Sequence, residues 1–409
     1  MAIPEIEVQD VLDALKYIDE NNVPSHNQSV WYELVTDDGK KYPPKYVVAV
    51  ANHLAHGADI STDTFGPTEA NRYLEHLGFD IQDRRGAKAS GSAAFLVKKT
   101  DSYLDVCSSA LLASKNLILR GAPGTGKSYL AKQIATDIVS NGYLDDYTSL
   151  SDEQKSRIEF VQFHPSYDYT DFVEGLRPVI NKDGSMGFEL KDGVFKQFVT
   201  RARSNFEKSC DLNEEPENYV FIIDEINRGE MSRILGEMFF AIDPGYRGKA
   251  GEVSTQYANL HSNPEEKFFI PENVYIIGTM NDIDRSVDSF DFAIRRRFRF
   301  IEIKADDRLE MLSMIGDKKL EAEAVRRMKA LNAAIAETED LNENYQIGAS
   351  YFLKLKEIDF DQLWTDHLEP LLQDYVQGMY DEKGILEKFA EAYGYKNSFE
   401  SSAYELPQD

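Results

Sequence analysis

Apolar positions in the first eighty residues follow helical and strand spacings in turn. Val8, Val11, Leu12, Leu15 and Ile18 fall on one face at 3.6-residue spacing and predict a helix over 8–20. Val30–Val35 reads as a strand, with Asp37-Asp38-Gly39-Lys40 as its turn. Tyr42-Pro43-Pro44-Lys45 opens a second helix, Tyr46 to His56, because proline is tolerated in a first turn. Thr68–Leu77 predicts a third helix, ending at Gly78, and Phe79–Ile81 a closing strand. Residues 83–100 are small, polar and Gly/Ser-rich, which is linker chemistry.

The pattern then changes. Short, almost continuously apolar runs at 117–119, 158–163, 219–223, 274–277 and 298–303 alternate with helical stretches. Such runs suit a parallel sheet buried on both faces, whose ligands gather at the strand C-terminal ends. The segment 177–190 interrupts this alternation and reads as an exposed hairpin turning at Asp183-Gly184. Beyond 305 only helical runs remain, over 308–315, 320–336 and 364–380. The predicted organisation is α/β: a small α+β N-terminal domain (1–85), a linker (86–101), an α/β nucleotide-binding domain with a five-stranded parallel sheet (102–304) and an all-helical lid (305–409).

Three apolar runs end in chemistry. After the first comes Gly121-Ala122-Pro123-Gly124-Thr125-Gly126-Lys127-Ser128, followed by Tyr129 and a helical pattern. Strand, glycine loop and helix are the context of a P-loop, whose backbone N–H groups cradle phosphate oxygens. Lys127 would reach the β- and γ-phosphates and Ser128 would hold Mg²⁺. The third run ends in Asp224-Glu225. There Asp224 would join the Mg²⁺ shell and Glu225 would polarise the attacking water. The fourth ends in Asn281, with Asp284 and Arg285 within a turn. Asn281 suits a sensor of the lytic water, and the other two could complete its network. Arg295, Arg296 and Arg297 precede the last strand, where three adjacent cations call for a counter-anion. One of them, with Arg296 favoured, would serve as an arginine finger for a neighbouring subunit's γ-phosphate.

Composition narrows the setting. The two cysteines, Cys107 and Cys210, exclude a disulfide framework and suit a reducing cytoplasm. Neither a signal peptide nor a membrane-length apolar run is apparent. A net charge of −26 argues against broad, non-specific nucleic-acid binding, though a local patch of Lys40, Lys41 and Lys45 with Trp31, Tyr32 and Tyr42 could still form.

Taken together, the P-loop, Asp224-Glu225-Ile226-Asn227-Arg228, Met280-Asn281-Asp282-Ile283-Asp284-Arg285 and Arg295–Phe298 resemble the AAA+ family, specifically its McrB branch. Phe163-His164-Pro165-Ser166-Tyr167 through Gly175 and Tyr345-Gln346-Ile347-Gly348-Ala349-Ser350-Tyr351-Phe352 resemble further McrB segments. The sequence departs from that pattern at Asp282-Ile283 and at Pro165. The N-terminal block resembles a small module of some modification-dependent restriction proteins, through Tyr42–Lys45 and Asn71…Leu77-Gly78-Phe79. The resemblance implies a hexameric homo-oligomeric ring, GTP preferred over ATP, Mg²⁺, DNA read by the N-terminal domain and a separate McrC-like nuclease partner. It also implies water positioning by Asn281 and Asp284, and places Asn227 and Arg228 at the active-site interface. No nuclease constellation of its own is apparent, so cleavage would belong to another chain. The alternative reading is a MoxR-like ATPase chaperone, which the acidic charge suits.

Overall fold

A computed structural model gives the fold. It describes residues 6, 8–21, 32–36, 40–57, 67–77, 79–83, 102–212, 214–283 and 292–395. The chain divides into two units, Met1–Lys99 and Thr100–Asp409.

The first unit is a three-stranded antiparallel sheet with three helices. Strands β1 (Tyr32–Val35), β2 (Lys41–Tyr42) and β3 (Asp80–Asp83) lie in the order β2-β1-β3. The helices Val8–Asn21, Pro44–His56 and Pro67–His76 bury Val11, Leu15, Val47, Val48, Ala51 and Leu74 against Leu34 and Ile81. The expected basic–aromatic patch needs correction. Tyr42 belongs to this core and donates its hydroxyl to Asp19 at 2.7 Å, while Lys40 and Lys41 pair with Asp19 and Glu33. Its edge strand presents a Tyr inward because residues alternate faces. Trp31, the turn at 37–39 and Gly78 lie outside the described residues.

In the second unit β4 (Asn116–Gly121), β5 (Ile158–Gln162), β8 (Tyr219–Asp224), β9 (Val274–Asn281) and β10 (Arg299–Glu302) form one parallel sheet, ordered β10-β4-β9-β8-β5. Alternate residues of each strand feed opposite cores. Ile118, Phe221, Ile223 and Ile276 meet the phenylalanines 163, 172, 195 and 198 on one face. Leu117, Leu119, Val220, Ile222 and Ile277 meet Leu130, Ile134 and Ile138 on the other. The chain runs from β4 to the β5 edge and returns through β8 and β9, so β9 separates the P-loop strand from β8. The register sets Gly121 beside Asn281 and Ile223 beside Gly278. All the acidic and amide strand ends therefore open onto one crevice.

Between β5 and β8 stand β6 (Glu174–Ile180) and β7 (Met186–Asp192), an antiparallel hairpin slightly longer than its sequence signal. The helix Val194–Leu212 follows it. Beyond β10 the described secondary-structure elements are all helical, packed around Phe352, Trp364, Phe389 and Tyr393. The run expected over 308–315 is a tighter 3₁₀ segment, Leu309–Ile315, ended by Gly316 in the left-handed conformation. The run from Trp364 widens over Trp364–Leu368, just before Pro370. Proline cannot supply an N–H to Asp366 and crowds that carbonyl, so the ordinary α-turn is lost there.

Candidate active site

The glycine loop follows β4 and passes into the helix Lys127–Val139. Gly124 has φ +76°. A Cβ there would lie 2.4 Å from the Tyr351 ring, so both conformation and space demand glycine. Thr125 is buried and donates its hydroxyl to Ala122 O at 3.0 Å, bracing the loop from inside. Tyr129 is half-exposed on the first helical turn.

Lys127 folds back into its own loop. Its Nζ donates to Gly121 O at 3.0 Å and Ala122 O at 2.7 Å, and it is almost wholly buried. Burial lowers its pKa to about 8, against the opposing pull of Glu225, Asp282 and Asp224.

A continuous hydrogen-bonded chain links the first turn of the helix Lys127–Val139 to the ends of β8 and β9. Ser128 Oγ donates to Asp224 Oδ1 at 2.5 Å, and Thr279 Oγ1 donates to the same oxygen at 2.6 Å. Thr279 Oγ1 in turn accepts from Glu225 N at 3.2 Å. The Glu225 carboxylate then accepts from Asn281 Nδ2 at 2.9 Å and from Arg228 Nε at 3.3 Å. Glu225 has φ +52°, a left-handed conformation that costs a non-glycine residue about 1 kcal/mol. That turn swings its side chain away from the strand direction. Burial raises its pKa, with the neighbouring Asp224 adding to the effect and Arg228 opposing it. A carboxylate so raised is the stronger base.

Asn227 is buried and reaches Asn281 O at 3.5 Å, while its own Oδ1 has no hydrogen-bond partner. Asp282 Oδ2 likewise has none, and its charge interacts with Arg120 and Lys127. The structure thus brings together the loop 121–128 with Asp224, Glu225, Asn227, Arg228 and Asn281. Asp284 and Arg285 lie outside the described residues. Arg295 and Arg296 are exposed, whereas Arg297 is buried.

Sequence reasoning passed over Thr279, a buried hydroxyl in an otherwise apolar strand, which was its only signal. It also gave the lid no contact with the loop. Gly348 N donates to Pro123 O and Ser350 N to Gly124 O, each at 2.9 Å. A Cβ on Gly348 would lie 2.1 Å from Gly124 C, so the two backbones touch only because residue 348 is glycine.

These side chains fit a nucleotide with Mg²⁺. Ser128, Asp224 and Thr279 are hard oxygen donors of the kind that cation takes. The orphaned Asp282 and Asn227 oxygens and the inturned Lys127 leave polar capacity beside the loop.

Similarity to known proteins agrees with the geometry. Residues 116–298 match the AAA domain of the dynein-related subfamily, and 323–383 match the McrB α-helical lid domain. The EcoKMcrB subunit of a type IV methyl-directed restriction enzyme of Escherichia coli (strain K12) is 35% identical over 366 residues, covering 82% of this chain and 72% of that protein. The chain belongs to the McrB family of AAA+ proteins. Residues 5–83 match the ScoMcrA-like N-terminal head domain. Component YdiS of the type II restriction enzyme BsuMI of Bacillus subtilis (strain 168) is 29% identical over 209 residues, 46% of this chain and 56% of its own. The solved structure of NtrX from Brucella abortus aligns over 87% of this chain and 61% of its own, with a TM-score of 0.31 and 12% identity, too remote to bear on function. As a McrB-type AAA+ protein the chain is a nucleoside triphosphatase and a restriction-system subunit. No described helix is long and apolar enough to cross a membrane.

Proposed function

We propose that the protein is the motor of a DNA restriction system. It forms a homo-oligomeric ring, hexameric by family resemblance, and hydrolyses GTP in preference to ATP. Its head domain, residues 1–85, reads DNA. Hydrolysis drives translocation and activates a separate McrC-like nuclease. Both restriction relatives favour this reading over a MoxR-like chaperone.

The observation that carries hydrolysis is the chain from Ser128 through Asp224 and Thr279 to Glu225 and Asn281. A site that only bound nucleotide would need its phosphate half, not an oriented carboxylate with a raised pKa. In the proposed sequence Lys127 exchanges its loop carbonyls for the β- and γ-phosphates. Ser128 and Asp224 hold Mg²⁺, which when bound neutralises charge on the phosphates. Glu225, steered by Asn281 and Arg228, accepts a proton from the attacking water. Asn227 lies behind Asn281 and fixes its backbone. Asp284 and Arg285 extend the water network, and Arg296, with Arg295 beside it, supplies positive charge to the next subunit's site.

Steady-state hydrolysis of GTP and ATP by the full chain, side by side, tests the reading. A higher kcat/KM for GTP is expected; a higher value for ATP overturns the nucleotide preference. Glu225→Gln should bind nucleotide with unchanged affinity while turnover falls on the order of 10²- to 10³-fold. Turnover like that of the wild type would remove Glu225 from the chemistry.

A further inference from the structure

The arginine segment is anchored to the far end of the P-loop strand. Asn116, the first residue of β4, is fully buried and its side chain makes three hydrogen bonds. Its Nδ2 donates to Ile242 O at 2.7 Å and to Arg297 O at 2.9 Å, and its Oδ1 accepts from Arg247 Nη2 at 2.6 Å. Gly121 stands five residues further along the same strand, roughly 17 Å away at strand rise. One rigid central strand therefore carries the phosphate loop at one end and grips Arg297 at the other.

Asp243 is the second element. Its Oδ2 lies 3.9 Å from Arg296 Nη2 and 3.7 Å from Arg297 Nε, and its charge also supports the buried Arg247. Its Oδ1 accepts from Gly245 N at 3.1 Å, which fixes the carboxylate in place. Arg247 Nε and Nη1 have no hydrogen-bond partner, so this guanidinium depends on that charge and on the one bond to Asn116. Arg297 is the third element. It lies over the Phe239 ring at 4.2 Å and donates Nη1 to Ala293 O at 2.8 Å, closing the turn from which Arg296 projects. Arg297 is buried, whereas the Arg296 side chain is 65% exposed.

We infer that Asn116, Asp243 and Arg297 form a positioning clamp that aims Arg296 at the neighbouring subunit's nucleotide, so that the strand bearing a subunit's own phosphate loop also sets the arginine it lends. The inference rests on the shared-site reading proposed above. It makes Arg296 the donated group and gives Arg297 a structural task. It also gives a physical route by which events at one subunit's loop reach the next site, because β4 joins the two ends directly.

The test uses the full chain. Asp243→Asn keeps the side-chain shape and an oxygen for Gly245 N, but removes the charge facing three guanidiniums. Its own loop is intact, so nucleotide affinity should be unchanged. Its kcat should fall about 10- to 100-fold, the loss expected when a reacting group is misplaced by about 1 Å. Arg297→Lys keeps the charge, loses the Ala293 bond and the Phe239 contact, and should behave alike. Lys127→Ala subunits have a disabled loop and an intact clamp. Mixed with Asp243→Asn subunits, they should restore hydrolysis above the sum of the two separate preparations. Wild-type kcat in both clamp variants overturns the inference. So does a loss in Asp243→Asn that Lys127→Ala subunits fail to rescue while they do rescue Arg296→Ala, since that pattern marks a general folding defect. Rescue of neither variant overturns the shared site itself, and the clamp with it.

Discussion

Lys127 offers a prediction that follows from the way its loop holds it. Its ammonium is buried against Gly121 O and Ala122 O, and its pKa falls from the usual 10.5 to about 8. Phosphate oxygens favour the charged form, so nucleotide returns the pKa toward or above its ordinary value. The sign is then determined. Below pH 7 the lysine is charged in both states and affinity does not change with pH on its account. Above about 8 the free protein has lost the proton, and binding must take one up. At pH 9 only ~10% of free Lys127 is charged, so the dissociation constant should be about tenfold weaker than at pH 7, equivalent to about 1.4 kcal/mol. Calorimetry in buffers of different ionisation enthalpy should find about 0.9 proton taken up at pH 9. Adenine nucleotides are titrated in parallel, because their base does not ionise in this range. Lys127→Arg is the control, since a guanidinium stays charged throughout. A wild-type affinity that is flat from pH 7 to 9, or an equal slope in Lys127→Arg, would falsify the inturned, neutralisable lysine.

Two further substitutions probe contacts outside the chemistry. Gly124→Ala places a Cβ 2.4 Å from the Tyr351 ring at a φ of +76°, so nucleotide affinity should drop at least about tenfold as the lid is forced off the loop. Adding Tyr351→Ala removes the clash but not the backbone strain, and binding assays should show partial recovery; none would mean the lid contact is irrelevant. At the base of the hairpin, buried Glu174 pairs with Lys196 and His261 and accepts from Tyr257 N at 3.2 Å. Glu174→Gln should cost about 1–2 kcal/mol in urea unfolding, because Lys196 loses a buried charged partner but keeps Asp192 at 2.7 Å. Burial pushes the Glu174 pKa up, but hydrogen bonds from Lys196 and His261 outweigh it and leave it lowered. Its stabilisation is therefore complete above the ordinary carboxylate pKa and is lost as pH falls through the lowered value. The two proteins should converge in stability at acid pH, and a gap that persists there would count against the ion pair as the cause.

Much of this molecule is written locally. Apolar runs of a few residues, ended by glycines, acids or an amide, mark β4, β8 and β9 and their chemistry, because a buried parallel strand must be apolar and a ligand must sit at its end. Asp183-Gly184 marks the hairpin for the same kind of reason. What the sequence could not decide are the pairings set by strand order and by domain closure. Thr279 bridges Asp224 and Glu225 only because β9 lies beside β8. Gly348 and Ser350 meet the phosphate loop only because the lid folds back onto it. Among three adjacent arginines, local composition is blind to which is buried; Asn116, distant in sequence, holds the Arg297 backbone, Phe239 and Asp243 receive its side chain, and Arg296 stays outside. Tyr42 is the same lesson in the first unit, an aromatic beside lysines that the sheet turns inward. Periodicity reports what each segment can bury, whereas the partner of a polar group depends on which segment arrives next to it, and only the tertiary structure settles that.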